Sequence, residues 1–427
     1  MRHVNWLVPA LLLTFGAGAE ARAFRAAGVC PVGPEATRED AVRIAFLYAS
    51  ESVREQVAAC LDSLSWGRGE SGREELRAFV AGLVEVRSAR VREERDSAVV
   101  EGVCEVDPET LLHRIGEIRR DPALSRDLAL ALAETDHLRT RLSEQSTPLS
   151  PIGGKDGRER MTSLRGETLA NLEAKALLTR ARVAFETAPS RALSLVDSAL
   201  ALAPRSAEAR LQRGILQHQS GDLDEAIREY RTGLGILPED RTLRFNLASA
   251  LKEKGDLDAA VGEYRRILEI SPRDPETSYA LAGALKDRGN LRTAITMYRR
   301  TLQLTPDFVP ARADLGTALH LIGDMDSAIV EYRRVLDANA KDVRVRFNLG
   351  TALKDLGRIE EAIQELQAVL LLDPGFADAH FNLGAALAEK GDRPGVLREM
   401  RAVLSLSRDD RQKASAREVI QAFGGAP

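Results

Sequence analysis

Apolar and polar residues return at the same places every 34 residues through the C-terminal half of the chain. Each period contains two stretches in which apolar residues have helical spacing, separated by a glycine and ended by a proline. This register runs without insertion or deletion through Gly221, Gly255, Gly289, Gly323, Gly357, Gly391, Pro204, Pro238, Pro272, Pro306 and Pro374. A strict period in the range of about 20–50 residues predicts a solenoid of stacked helix–turn–helix units.

The recurring residue types each have a structural reason. A small residue in the first helix of each unit, such as Ala248 or Gly316, allows the two helices to touch, and Ala260 does the same from the second helix. Glycines such as Gly255 end the first helix in the left-handed conformation. Tyrosines fill the space against the next unit: Tyr230, Tyr264, Tyr298 and Tyr332.

These residues resemble the tetratricopeptide repeat family. Residues 241–274 carry the family's residue types at Leu247, Ala248, Leu251, Gly255, Ala260, Tyr264 and Pro272. The resemblance covers about seven units over residues 173–410, of which 173–206 is degenerate, and a capping helix and tail follow at 411–427. It implies an all-α solenoid, wound as a right-handed superhelix, whose first helices line a concave groove. Other residues replace the family's tryptophan: Arg210, Arg244, Ser278, Arg312, Arg346 and His380.

Three rows of first-helix side chains would line the groove. They are an asparagine row at Asn246, Asn348 and Asn382, a lysine row at Lys252, Lys286 and Lys354 that His320 interrupts, and an aromatic row at Phe245, Tyr279, Phe347 and Phe381. An asparagine amide can hold the backbone of an extended peptide because it both donates and accepts hydrogen bonds. Lysines would favour acidic peptides, and aromatic rings add apolar contact.

A purely structural interpretation of these rows stays open. Asparagine and lysine are ordinary residues on a solvated helix face, and the aromatic residues could belong to the core. Ala280 and Asp314 interrupt the asparagine row. The two-carboxylate clamp of chaperone-binding members is not reproduced, which argues against a chaperone tail as the ligand.

The first 23 residues have the form of a secretory signal peptide. Arg2 precedes an apolar run over residues 4–15, and Ala21-Arg22-Ala23 is a cleavage motif, with Ala19-Glu20-Ala21 as a competitor. A membrane anchor is the alternative, but the run is shorter than the roughly 20 residues that span a bilayer. We expect a periplasmic or secreted bacterial protein, cleaved after Ala23, that has no stable membrane insertion afterwards.

Residues 24–142 predict a small α+β domain. Alternation predicts strands at 24–30, 86–91 and 100–106, and helical spacing predicts helices at 37–64, 73–84, 108–119 and 124–143. The segment resembles the N-terminal domain of flagellar assembly protein T and related bacterial lipoprotein domains, through Phe24–Gly28, the alanine-rich helix from Ala41 and the closing 103–108 strand. That resemblance implies an envelope-associated, non-catalytic domain.

The three cysteines, Cys30, Cys60 and Cys104, all precede the repeats. Cys30 and Cys104 lie on the apolar faces of their predicted strands, so a disulfide between them is possible if the strands are neighbours. The alternative is that all three are small buried hydrophobic residues. No C-x-x-C pair is present, which disfavours a metal or redox site.

A flexible linker and a helix leading into the repeats are expected at 143–172. Residues 144–165 are rich in proline, glycine and polar residues, a composition that buries no core. We therefore expect the two halves of the chain to move relative to one another.

Composition and motifs exclude several classes of function. The 427 residues are 44% hydrophobic and 29% charged, which is typical of a folded protein, and the net charge of −4 gives no signal for nucleic acid or membrane surfaces. The six histidines are scattered, and there is no G-x-S-x-G, phosphate loop or H-E-x-x-H. We expect no enzyme activity, cofactor or metal.

The chain therefore reads as a non-catalytic scaffold that binds a protein or peptide partner in its groove and does not bind nucleic acid. Two alternatives remain. The N-terminal domain could be the recognition element with the repeats as a spacer, or the protein could regulate or belong to an envelope enzyme. The sequence does not identify the partner, the pathway or the oligomeric state.

Overall fold

The computed structural model of the chain describes residues 22–31, 38–63, 76–77, 79–81, 83–93, 97–106, 111, 113–116, 120–146 and 155–425. These residues form two compact units, one up to Pro238 and the other from Glu239. The predicted leader is outside the described residues except for Arg22 and Ala23, which begin the first strand.

The first unit contains a three-stranded antiparallel sheet. Its strands are β1 (Arg22–Pro31), β2 (Arg87–Glu93) and β3 (Ser97–Val106), and their order is β1-β3-β2. Helix α1 (Arg38–Ser63) packs on one face of this sheet. The predicted strands and the predicted 37–64 helix are thus confirmed. The described parts of the predicted 73–84 and 108–119 helices are helical as well.

The face of the sheet toward α1 carries the predicted apolar set. Val100, Gly102 and Cys104 of β3 are buried, and Phe24 of β1 is 2% exposed. A Cβ atom added at Gly102 would lie 3.2 Å from the Cβ of Ala49 in α1. The helix therefore approaches the central strand so closely that a larger side chain would push it away.

The prediction of a disulfide between Cys30 and Cys104 is wrong, because the strand register keeps them apart. The strands are neighbours, as the hypothesis required, but Cys30 pairs with Ala98 while Cys104 pairs with Phe24. Six positions along β1 separate Cys30 from Phe24, which is roughly 20 Å at the rise of an antiparallel strand. A disulfide requires Cα atoms within about 7 Å. Both side chains are buried, as the alternative interpretation expected.

The predicted flexible linker is largely helical. Helix α2 (Pro122–Ser146) is followed by α3 (Lys155–Ala184), so that within the predicted 143–172 segment only residues 147–154 are outside the described part. Leu169 and Leu172 of α3 are buried in the same core cluster as Cys30 of the sheet. The expected helix leading into the repeats is thus present, and it begins earlier than predicted, within the 144–165 stretch that was expected to be linker.

Helix α3 also serves as the first helix of the degenerate repeat. Its C-terminal part packs on α4 (Pro189–Leu202), and Glu85, just before β2, accepts ion pairs from Arg180 at 3.0 Å and Arg191 at 2.9 Å. In the first unit, the sheet and the opening repeat are therefore joined by a shared helix and by ion pairs. The expected motion between the two halves of the chain stays a prediction.

The remaining helices form pairs of nearly equal length. The first unit adds α5 (Ala207–Gln219) and α6 (Leu223–Ile236). The second unit contains α7 (Arg241–Lys254), α8 (Leu257–Ile270), α9 (Pro275–Asp287), α10 (Leu291–Leu304), α11 (Val309–Leu321), α12 (Met325–Ala338), α13 (Val343–Asp355), α14 (Ile359–Leu372), α15 (Ala377–Lys390), α16 (Arg393–Leu406) and α17 (Asp410–Ala422). With α3 and α4 these make the seven predicted pairs, and α17 is the predicted capping helix.

The first helices line one side of the second unit. Each helix packs on the next in sequence, and α7, α9, α11, α13 and α15 also contact one another in series. Contacts between the first helices of successive pairs show that these helices form the inner side of the stack. The residues predicted to line a groove all belong to these five helices.

Small residues allow the two helices of a pair to meet. A Cβ atom added at Gly316 in α11 would lie 2.7 Å from the ring of Tyr332 in α12, and this ring is fully buried. Gly255 ends α7 with φ of 91°, the left-handed conformation predicted for the turn into the second helix. Both predicted roles of the recurring small residues are confirmed.

A half-buried ion pair occupies the place of the family's tryptophan. Arg312 donates to Glu331 of the second helix at 3.0 Å and to the carbonyl oxygen of Pro306 at 2.7 Å. The same pair recurs as Arg210–Glu229, Arg244–Glu263, Arg346–Glu365 and His380–Glu399. In the pair of helices that has Ser278 instead, Arg300 donates to the carbonyl oxygen of Pro272 at 2.5 Å. The paired side chains tie a first helix to its second helix, and the Arg300 contact ties a second helix to the turn before its first helix.

Aspartates begin several helices as N-caps. Asp274 accepts from the backbone N–H of Thr277 at 3.2 Å and starts α9, with Pro275 at the first helical position as predicted. Arg241 of α7 donates to the same carboxylate at 2.6 Å. Burial acts to raise the pKa of Asp274, but the hydrogen bonds from Arg241 and Thr277 outweigh it and hold the pKa below its usual range.

We expect Asp274→Asn to destabilise the chain in a pH-dependent way. Asparagine still caps the helix, so the loss is that of the ion pair, about 1 kcal/mol because Arg241 is partly exposed. A carboxyl with a depressed folded pKa contributes stability above its unfolded value of 3.8, and this contribution fades as the pH falls through the folded pKa. The midpoints of urea unfolding of the original chain and of the Asp274→Asn variant, at pH 7 and below pH 3, measure this loss of stability. A difference between the two midpoints that is the same at both pH values would contradict the ion pair between Asp274 and Arg241.

Candidate functional site

The candidate surface is the inner side of the second unit, where the three predicted rows lie on neighbouring first helices. The one-repeat spacing puts equivalent residues on the same face of successive helices. Within one helix, positions seven residues apart are two turns apart on that face. The structure places the three rows on the first helices and shows which intramolecular contacts each side chain makes, whereas peptide binding by the rows stays a prediction.

The aromatic row packs between helices. The ring of Phe245 meets that of Tyr264 edge-on at 5.5 Å between centroids, and Phe347 lies 4.9 Å from Phe376. Phe381 packs against the C-terminal core cluster. These rings are half-buried, which favours the interpretation of them as core residues and leaves only their edges for a ligand.

Tyr279 of the aromatic row bonds through its hydroxyl to Asp314, the residue that interrupts the asparagine row. Its ring contacts Phe308 at 5.1 Å, and the hydroxyl donates to Asp314 of the next first helix at 2.8 Å. Burial, together with this carboxylate, raises the pKa of Tyr279 to about 12. The hydroxyl therefore stays protonated at neutral pH and remains a donor.

The three asparagines have different surroundings. Asn246 donates to the carbonyl oxygen of Thr242 in its own helix at 2.9 Å, and Asn382 donates to the Thr351 hydroxyl of the preceding first helix at 3.0 Å. Asn348 makes no side-chain hydrogen bond within the described part of the chain and is half-buried. Of the row, Asn348 has the amide best able to bind a ligand.

Carboxylates accompany the predicted lysine row. Lys252 lies 3.2 Å from Asp287, Lys286 lies 3.4 Å from Asp314, and Lys354 lies 3.0 Å from Asp355. His320 is also 3.0 Å from Asp355. The lysines therefore form a ladder of ion pairs along the inner side, and the expectation that they favour acidic peptides is weakened because their charge is matched.

The pKa of Asp355 reflects its contacts with these cationic and histidine side chains. Burial acts to raise its pKa, but hydrogen bonds from Lys354 and His320 outweigh this effect and hold the pKa below its usual range. The carboxylate is thus ionised at neutral pH and balances the charge of Lys354. Sequence reasoning missed these acidic partners. The signal was present, because Asp287 follows Lys252, and Asp355 follows His320, by one repeat plus one residue.

The histidine of the last repeat has structural contacts, and the described side chains form no cluster that could hold a metal ion. His380 is held between Glu399 at 2.7 Å and the carbonyl oxygen of Pro374 at 3.1 Å, which gives it a structural role. Within the described ranges, no three His, Cys, Asp or Glu side chains cluster closely enough to hold a metal ion. The same ranges contain no helix with the length and apolar character needed to cross a bilayer.

Comparison with known families agrees with this architecture. Models described as TPR repeat or tetratricopeptide repeat match residues 178–240, 217–284, 279–343 and 350–391. Residues 178–391 are therefore a tetratricopeptide repeat segment, which confirms the resemblance stated for the repeats. These matches begin at residue 178, and the resemblance of the N-terminal segment to flagellar assembly protein T stays a prediction. No curated protein matches the chain in sequence.

Several solved structures share the repeat fold. YrrB, described as a TPR protein with an unusual peptide-binding site, is 24% identical over 44% of this chain and 97% of its own, with a TM-score of 0.39. MamA from Desulfovibrio magneticus RS-1 is 25% identical over 39% of this chain and 95% of its own, with a TM-score of 0.38. A tetratricopeptide repeat protein from Parabacteroides merdae is 16% identical over 59% and 99%, with a TM-score of 0.46. Because all three scores are below 0.5, these likenesses carry no argument about the ligand.

We expect Asn382→Ala and Asn348→Ala to differ in their effect on stability. Removing Asn382 breaks its hydrogen bond to Thr351 and should lower the free energy of unfolding by about 1 kcal/mol. Removing Asn348 should change it by less than about 0.5 kcal/mol, because no partner is lost. Urea unfolding of both variants, of Thr351→Val and of the Asn382→Ala/Thr351→Val double variant measures this. Equal losses for the two alanine variants, or strict additivity in the double variant, would contradict these contacts.

Proposed function

We propose that this chain is a non-catalytic scaffold of the bacterial envelope that binds an extended peptide or a partner helix on its inner surface. The tetratricopeptide repeats support a role as a protein-interaction scaffold. The observation that carries the proposal of peptide binding is the Asn348 amide, which lies on the inner side without an intramolecular hydrogen bond in the described part of the chain. Such an amide can both donate to and accept from a peptide backbone.

The surroundings of Asn348 suit a peptide of low net charge. Lys354 of the same helix is paired with Asp355, and His320 of the preceding first helix contacts the same carboxylate. A strongly acidic ligand would have to compete with Asp355, and a strongly basic one with Lys354. Hydrogen bonds to the backbone and apolar contact with the edges of Phe347 and Phe381 are the favourable terms that remain.

The envelope location rests on the leader. Arg2, the apolar run over residues 4–15 and the motif at 21–23 have the order of a secretory signal. This part of the proposal is tested by N-terminal sequencing of the protein from the native host. A mature chain that begins at Phe24 in a periplasmic or secreted fraction supports it, and an intact leader in the cytoplasm contradicts it.

A second candidate function places recognition in the N-terminal domain, with the repeats as a spacer. The observation in its favour is the sheet face opposite α1, which carries exposed arginines. The two candidates predict different sensitivities, because groove substitutions lie in the second unit and the sheet lies in the first. Binding to the two surfaces can therefore be separated by variants of one protein.

We expect Asn348→Ala to weaken partner capture from a native envelope extract by about fivefold, the equivalent of roughly 1 kcal/mol for one lost hydrogen bond. The triple variant Asn246→Ala/Asn348→Ala/Asn382→Ala should abolish it. Asn339→Ala is the matched control, because Asn339 lies in the turn after α12, off the inner side. The readout is quantitative mass spectrometry of proteins retained by residues 24–427, after circular dichroism confirms equal helicity.

A partner that Asn348→Ala and the triple variant retain as well as the Asn339→Ala control does would contradict binding through the asparagine row. If binding were lost equally in the control, the loss would reflect a general effect of the substitutions. Either result would direct attention to the sheet of the first unit.

A further inference from the structure

The outer strand of the N-terminal sheet has an unusual pattern of arginines. Strand β2 lies at an edge, since it pairs with β3 and with no other described strand. Its sequence over Arg87–Glu93 is RSARVRE, so three of seven residues are arginine. In a regular strand, alternation would put Arg87 on one face and Arg90 and Arg92 on the other.

A β-bulge brings the three arginines to the same face. The register pairs Arg87 with Val103, then shifts between Ser88 and Arg90, and continues with Arg90 opposite Glu101 and Arg92 opposite Val99. The extra residue in β2 reverses the alternation at that point. Arg87, Arg90 and Arg92 therefore lie beside every second residue of β3, on one side of the sheet.

That side is the one opposite α1. On β3 the buried residues Ala98, Val100, Gly102 and Cys104 alternate with Val99, Glu101 and Val103, which are half-buried. All three arginines of β2 are exposed and make no ion pair within the described part of the chain. The one ion pair described on this face joins Arg25 of β1 to Glu101 at 3.9 Å.

We propose that β2 binds an extended acidic peptide by strand addition, with carboxylates at alternate positions of the peptide facing the three arginines. A strand added at an edge lies about 4.8 Å away and shows every second side chain on the same face, at a spacing of roughly 7 Å. This spacing equals that of the arginine row. The backbone groups of the edge supply hydrogen bonds, and the arginines can hold carboxylates in bidentate fashion.

Charge and geometry together single out this partner. The described residues of this face include four arginines but only two glutamates, Glu101 and Glu105, so the face is net positive. A charged, bulged edge can also serve only to prevent strand-to-strand aggregation. An anionic lipid surface could bind to the arginines but could not form hydrogen bonds with the strand edge. Protection against aggregation and lipid binding each predict a result that would contradict the proposal.

The experiment is fluorescence anisotropy on the full chain with two labelled peptides of equal composition. One alternates Glu and Thr, and the other has all its Glu residues at one end. We expect the alternating peptide to bind more tightly. Arg87→Gln/Arg90→Gln/Arg92→Gln should weaken it by about tenfold, the sum expected of three opposite-charge cross-strand pairs. Methylation of every second backbone nitrogen of the peptide should also weaken it, because the peptide then loses the N–H donors that bond to the carbonyl oxygens of the edge.

A matched control removes the same charge elsewhere. Arg265→Gln/Arg299→Gln/Arg333→Gln acts on exposed positions of the repeat helices and should leave binding of the alternating peptide within about twofold. The charge-keeping variant Arg87→Lys/Arg90→Lys/Arg92→Lys should bind in between, because lysine keeps the charge but not the bidentate geometry. Circular dichroism checks that each variant is folded.

Three outcomes would overturn the proposal. Equal binding of the two peptides, or equal loss in the control triple variant, would show that net charge alone acts. Absence of peptide binding, together with self-association of the Arg87→Gln/Arg90→Gln/Arg92→Gln variant in sedimentation, would show that the arginines only protect the edge. Arginine-dependent binding to phosphatidylglycerol vesicles without peptide binding would assign the face to lipid. None of these results bears on the asparagine row, which lies in the other unit.

Discussion

The repeat architecture depends on one close contact, between a small residue of each first helix and a large side chain of the second. Gly214 lies under the ring of Tyr230, Gly316 under that of Tyr332, and Gly350 under Leu366, with no room for an added Cβ atom. This contact fixes the distance between the paired helices. The half-buried arginine–glutamate pairs bridge the same two helices, so their geometry depends on it as well. Because the contact recurs without insertion, every 34-residue repeat presents its first helix in the same way.

The same regularity makes the inner surface serve two purposes. Side chains that face inward from one first helix are also within reach of the next. Asp314 accepts from Tyr279 and Lys286, and Asn382 donates to Thr351, so part of the apparent binding row stabilises the stack instead. What remains for a partner is the Asn348 amide, the aromatic edges and a face of matched charge. This favours recognition of a peptide backbone over recognition of charge.

Much of the fold could be predicted because the relevant information is local. Helix boundaries follow from caps such as Asp274 and from glycines such as Gly255, and both act within a few residues of sequence. The roles of non-local residues could not be predicted in the same way. Whether Cys30 meets Cys104 depends on the register between β1 and β3, which no local pattern specifies. A helix leading into the repeats was expected before residue 173, but its start at Lys155 could not be predicted, because the polar composition of residues 144–165 gives no signal for a helix.

The candidate site shows the same limit. Sequence spacing placed the asparagine, lysine and aromatic rows correctly on the first helices, since period and helix geometry determine the face. It did not show which of those side chains already have partners. The pairing of Lys252 with Asp287 depends on the distance between neighbouring first helices, and so does the bond from Asn382 to Thr351. The bulge in β2 likewise requires the pairing with β3 to be known before its arginines can be assigned to one face.

The most direct test of the account is site-specific photo-crosslinking in cells of the native host. A photoreactive phenylalanine analogue would be placed at position 344, which is exposed one helical turn before Asn348 and leaves its amide intact, and at position 299 on an exposed second-helix face. The account predicts a covalent partner adduct from position 344 and none from position 299. Adducts from position 299 with none from 344 would contradict the central claim that the first helices form the binding surface.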